Sequence, residues 1–153
     1  MSKRSRNPAL ILVCGVLAAA SANSQELPAK QELREKYRMC ALQEQMFNGY
    51  CMLSIVDLIA NPEMFDGRKV LIQGYVRIEF EGQGVYLHQD DFRYGITRNA
   101  LWVTADGGVD LKGCQDSYAL VKGTFRAGIG GHFGMFSGVL DEVTECSKIQ
   151  LRK

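Results

Sequence analysis

His88, His132, Asp90 and Asp91 are the side chains in this chain best suited to proton transfer or metal ligation. An imidazole titrates near neutral pH, and a neighbouring carboxylate can serve as the complementary acid or base. The same set can hold a divalent ion that activates water. For either chemistry, the segment after His88 must meet the glycine-rich turn around His132 at one end of the fold, with Trp102 as an apolar wall. Otherwise His88-Gln-Asp-Asp91 is a solvated turn and His132 bonds to backbone. That plainer outcome is the commoner one, because such clusters point to function only statistically.

Three further patterns offer chemistry. Gly130-Gly-His-Phe-Gly134 can aim backbone N–H groups at an anion, but it lacks the lysine or the strand–turn–helix setting of phosphate loops and reads more simply as a hairpin. Ser137 has no Gly-x-Ser-x-Gly around it, so a nucleophile elbow is not expected. Tyr75, Tyr86, Trp102 and Phe136, with Arg77 and Arg126, can form a face that stacks bases or sugars. Aromatic residues in strands more often serve packing.

The elements that must position these groups follow from periodicity. Pro28 to about Phe47 is rich in helix formers, with proline in the first turn and Asn48-Gly49 at the end. Ser54 and Asp57 have capping-box spacing before Ile55, Leu58 and Ile59, and Asn61-Pro62 stops that short helix. From Val70 the period becomes two: Val70, Ile72, Gly74, Val76, Ile78 and Phe80 share one face, with Gly74 a candidate bend. Shorter strands are expected over 85–88, 100–104, 118–126 and 134–144, with a polar loop over 89–99. The chain therefore reads as mainly β (α+β), a five-stranded Greek-key barrel of the OB type preceded by one or two helices.

Residues 1–22 read as an address. Lys3, Arg4 and Arg6 precede the apolar run Ala9 to Ala20, and Ala20-Ser-Ala22 is a cleavage site. The run is shorter than the roughly 20 residues of a membrane span. Cys14 follows Val13, which is not the small residue that lipid attachment prefers. A retained anchor is the lesser alternative, so no membrane span is expected after cleavage. Three of the 18 basic residues and none of the 17 acidic ones lie in this segment, so the remainder carries a net charge of −2. That balance argues against non-specific nucleic-acid binding, which requires a basic field. Residues 23–52 then form a helical segment, 53–147 the barrel domain and 148–153 a tail.

Export changes the meaning of the cysteines. Cys40, Cys51, Cys114 and Cys146 remain, an even number suited to disulfides in an oxidising compartment. Three pairings are possible, and proximity in sequence favours Cys40–Cys51 with Cys114–Cys146. A zinc site is the competitor, but no Cys-x-x-Cys pair is present. No cofactor or metal is expected.

Leu58-Ile-Ala-Asn-Pro-Glu63, Asp66-Gly-Arg-Lys-Val70, Gly74-Tyr-Val76, Asn99-Ala-Leu-Trp-Val103, Lys122-Gly-Thr-Phe125 and Gly131-His-Phe-Gly-Met-Phe-Ser-Gly138 together resemble a group of small uncharacterised bacterial OB-fold-like proteins, over about Leu53 to Val143. The resemblance implies the fold and no activity. The expectation is therefore a periplasmic or secreted binding module for a protein, glycan or small-molecule ligand, with His88, Asp90, Asp91, Trp102 and His132 as its candidate site. A small metal-assisted hydrolase using the same histidines and aspartates is the alternative. Mass spectrometry of the exported, unreduced chain is expected to show an N-terminus at Asn23 and no free thiol; intact Met1 or a lipid on Cys14 would overturn it.

Overall fold

A computed structural model describes residues 28–80, 82–104, 109–128 and 130–150. The elements run α1 (Pro28–Met46), β1 (Cys51–Leu53), α2 (Ile55–Ala60), α3 (Pro62–Phe65), β2 (Lys69–Arg77), β3 (Gly84–Tyr86), α4 (Gln89–Arg93), β4 (Ala100–Val103), β5 (Ser117–Arg126) and β6 (Val139–Lys148). Short 3-10 turns occupy Thr97–Asn99, Leu111–Cys114 and His132–Gly134. The signal segment and Cys14 lie outside the described residues. Among those residues, no helix is long and apolar enough to cross a membrane.

The strands close into a barrel. β2 pairs antiparallel with β3 and β3 with β4; β4 runs parallel to β6, β6 antiparallel to β5, and β5 antiparallel to β2. This is a five-stranded mixed barrel with OB-like connectivity, as the sequence leads one to expect. Along β2, β5 takes one edge from Lys69 to Val76. The other edge is divided, with β1 parallel to Val70–Ile72 and β3 antiparallel to Tyr75–Arg77.

The core follows the period-two pattern. Val70, Ile72 and Val76 of β2 meet Val85, Leu101, Val103, Val121, Phe125 and Leu140 inside the barrel, and Ile55, Leu58 and Phe65 plug one end. The plug is aimed by its cap. Ser54 Oγ accepts from Asp57 N–H at 3.0 Å, and Asp57 Oδ2 accepts from Ser54 N–H at 3.2 Å. Lys36 pairs with the same carboxylate at 2.7 Å. Partial burial would raise the Asp57 pKa, but the hydrogen bonds from Lys36 and Ser54 outweigh it and hold the group below its ordinary value.

Both favoured disulfides are present, Cys40–Cys51 with Cα atoms 5.0 Å apart and Cys114–Cys146 with 6.3 Å. The first fastens α1 to β1. That fastening matters because Met39, Leu42 and Met46 of α1 point to solvent while Cys40 is buried. The disulfide docks the helix, helped by Arg68, which pairs with Glu44 at 2.7 Å and also bonds Tyr37.

Four features differ from the sequence reading. β1 is a strand where none is expected; three residues are too few for periodicity to show. β2 ends at Arg77, which Glu79 and Asp116 hold by ion pairs, so Phe80 leaves the core face and stands 95% exposed. β6 spans Val139–Lys148 and not 134–144, because Gly134 to Ser137 belong to the turn. A bulge between Lys122 and Thr124 then resets its alternation, with Glu142 at φ 47°. The polar stretch 89–99 holds α4 and a 3-10 turn in place of an open loop.

Gly74 permits the closest approach inside the barrel. A Cβ there would lie 2.5 Å from Val85 Cγ1, 2.7 Å from the Tyr86 carbonyl oxygen and 3.0 Å from Ile55 Cδ1. Backbone cannot yield cheaply, so Gly74→Ala is expected to cost about 1–3 kcal/mol by overpacking. Chemical denaturation checks this; an unchanged midpoint would show that β2 and β3 can separate there.

Candidate functional site

The four aromatic residues singled out in the sequence do come together, on the outside of the barrel. Tyr75, Tyr86 and Phe136 form a second buried cluster with Ala100, and Phe92 of α4 and Trp102 pack against it. Tyr86 meets Phe92 and Phe136 edge-on at 5.5 and 6.0 Å, and Trp102 meets Phe136 at 5.3 Å. Arg77 lies over the Phe92 ring at 4.8 Å, whereas Arg126 lies elsewhere, 3.9 Å from Asp141. These rings are packing residues under α4, not an open stacking face.

The helix that seals them is held by Asp91. This carboxylate is buried and accepts from His88 N–H at 2.9 Å and from Asn99 Nδ2 at 2.9 Å. Both oxygens are thus engaged in starting α4 and tying it to the following turn. Asp90 is exposed and pairs with Arg93 at 3.4 Å. Among the described residues, no group of three His, Cys, Asp or Glu side chains is placed to hold a metal.

His88 and His132 are set against different surfaces. The turn that carries His132 packs on Trp102 and Phe136, where a Cβ on Gly131 would lie 2.5 Å from the indole ring. His88 stands exposed at the start of α4 and lines a groove of about 410 Å³ on the opposite flank of that helix. No residue from 130–136 lines this groove. The structure therefore places the turn that carries His132 on Trp102 and Phe136, and His88 at the start of α4 on the groove.

The groove is the better built feature. Its floor is the outer face of β1, β2 and β5, with Leu71 beside Met52 across one pairing and Gln73 beside Leu120 across the other. Met52, Tyr118 and Leu120 are exposed. Tyr118 Oη accepts from Gln89 N–H at 3.1 Å, which fastens one wall to α4. A second hollow of about 280 Å³ beneath α1 shares Met52 and Leu53 with the first. An apolar floor with Gln73, Ser54 and His88 at its edges suits binding and orientation more than bond cleavage.

Comparison with protein-family models, with curated proteins and with solved structures finds no match for this chain. The site must therefore be argued from its own residues.

Sequence reasoning reached His88 but missed Met52, Leu71, Tyr118 and Leu120. A signal for the last two exists: Tyr118 and Leu120 are apolar on the face of β5 opposite Ala119, Val121 and Phe125, where polar residues belong. The contrast between the two α4 residues is testable. Asp91→Ala leaves two partly buried donors without their acceptor and is expected to lower stability by about 1–3 kcal/mol. His88→Ala is expected to change it by less than about 0.5 kcal/mol. Equal thermal shifts for the two variants would contradict this division of roles.

Proposed function

We propose that this chain is an exported binding module whose outer groove over β1, β2 and β5 receives an apolar group of a protein, glycan or small-molecule ligand. One observation carries the reading. α4 seals one outer face of the barrel with Phe92, while the adjoining face leaves Met52, Tyr118 and Leu120 uncovered around a groove. Apolar side chains clustered at a concavity and rimmed by polar groups mark recognition surfaces more often than they mark neglect. Gln73 and His88 are the polar handles that would orient the ligand.

Export is supported by the basic–apolar–Ala-Ser-Ala order of residues 1–22 and by two disulfides, which persist in a periplasmic or extracellular setting. The resemblance to small OB-fold-like proteins fits this reading, since that barrel serves as a scaffold for many ligands.

Amide chemical shifts of the isotope-labelled chain, followed while short apolar peptides and neutral oligosaccharides are added, test the proposal. Shifts should concentrate on Met52, Gln73, His88 and Leu120 for one class of probe. Leu120→Lys, at an exposed position, is expected to keep the fold and weaken that binding about tenfold or more, by losing the burial of one leucine. Shifts that map elsewhere, or survive Leu120→Lys intact, would sink the groove as the site.

A further inference from the structure

The far end of α4 carries a different surface. Tyr94 is 79% exposed, Ile96 45%, Phe133 89% and Met135 44%. They belong to two segments that are bolted together: Thr97 Oγ1 donates to the Met135 carbonyl at 3.0 Å, and Ser137 Oγ donates to the Arg98 carbonyl at 2.8 Å. Phe133 sits in left-handed backbone, φ 55°, a conformation that a bulky side chain adopts only when its surroundings impose it. The base of its turn is fixed by the close approach of Gly131 to Trp102. A firm base thus presents an aromatic tip to solvent.

Two arginines lie beside this tip. From Phe92 to Arg98 and from Gly130 to Ser137 the charged residues are Arg93 and Arg98, with no carboxylate. Nearby Asp90 is paired with Arg93 and Asp91 is buried. Arg98 therefore adds positive charge to this end of α4, on a chain whose charge beyond residue 22 is −2.

We propose that this tip docks on an anionic membrane surface, with Phe133, Tyr94, Ile96 and Met135 entering the headgroup region and Arg93 and Arg98 meeting lipid phosphates. Aromatic residues at the interface and arginines at the phosphate level are the combination such surfaces select. Lipid is favoured over a protein partner by shape. Tyr94 and Phe133 stand largely exposed at a helix end and a turn, and a fluid bilayer accommodates protruding rings without a matching concavity. The inference is independent of the groove, which lies beyond the other end of α4.

The test uses the disulfide-intact chain lacking residues 1–22, with phosphatidylcholine vesicles made with and without phosphatidylglycerol. Sedimentation reads binding, and emission of Trp102, the single tryptophan, reads contact beside the turn. Binding is expected to require phosphatidylglycerol, to fall with salt, and to weaken about tenfold in Phe133→Ser through lost apolar insertion. Arg93→Gln combined with Arg98→Gln should abolish the lipid preference. Phe80→Ser, which removes a comparably exposed ring elsewhere, should leave vesicle binding intact. Failure to bind either vesicle, or binding indifferent to Phe133→Ser, would overturn the proposal. So would capture of an acidic peptide through Phe133 and Tyr94 without vesicle binding, which would assign the tip to a protein.

Discussion

The pairing of β2 with β5 is the constraint from which the rest of the molecule follows. Eight residue pairs run from Lys69–Thr124 to Val76–Ser117, joining strands that are about fifty residues apart in sequence. Once that edge of β2 is taken, its other edge is the only place for both β1 and β3, and they divide it. Closing such a long loop is entropically costly but grows only slowly with length, and the burial of Val70, Ile72, Val76, Val121 and Phe125 offsets it. The Gly74 contact and the plug of Ile55, Leu58 and Phe65 are consequences, since the curled β2 must approach β3 closely and leave an end to fill.

A five-stranded barrel of this size has more outer surface than its strands can leave polar. The chain meets this in two ways. On one side, α4 folds back and buries Tyr75, Tyr86 and Phe136 beneath Phe92, at the cost of a buried carboxylate that Asn99 and the His88 backbone must satisfy. On the other side no element of the described residues folds back, and Met52, Leu71 and Leu120 floor an open groove. α1 lines the adjoining hollow and not this groove, and a disulfide and ion pairs hold it there. The contrast between a sealed and an unsealed face is what gives the proposed binding role its physical basis.

Much of this was legible from residue order, because the relevant physics is local. Ser54 and Asp57 announce a helix start three residues apart, Asn61-Pro62 a stop, and the alternation from Val70 to Val76 a half-buried strand. The fold class, both disulfides, and the inward sets of β2 as far as Val76 and of β5 follow from such short-range signals. Local signals failed where a partner distant in sequence decides the outcome. Phe80 continues the alternation on paper, yet β2 ends at Arg77 because Asp116, arriving from the start of β5, and Glu79 hold it. The alternation of β6 is broken by a bulge opposite β5, which no window of β6 alone contains.

The candidate site divides along the same line. Residue types alone select His88, Asp90, Asp91, Trp102 and His132, because imidazoles, carboxylates and an indole are the groups able to do chemistry. Which of them share a surface depends on where α4 and the 130–138 turn come to rest, and that is settled by Phe92 packing on Tyr86 and Gly131 packing on Trp102. Those contacts make Asp91 a structural anchor and leave His88 on the groove that Leu120 also lines. Sequence by itself therefore determines the barrel, its core faces and its covalent staples, since each rests on periodicity or on cysteine chemistry. Only the tertiary structure decides which outer face is sealed and which stays open, because that depends on long-range packing of side chains whose types look alike in the sequence.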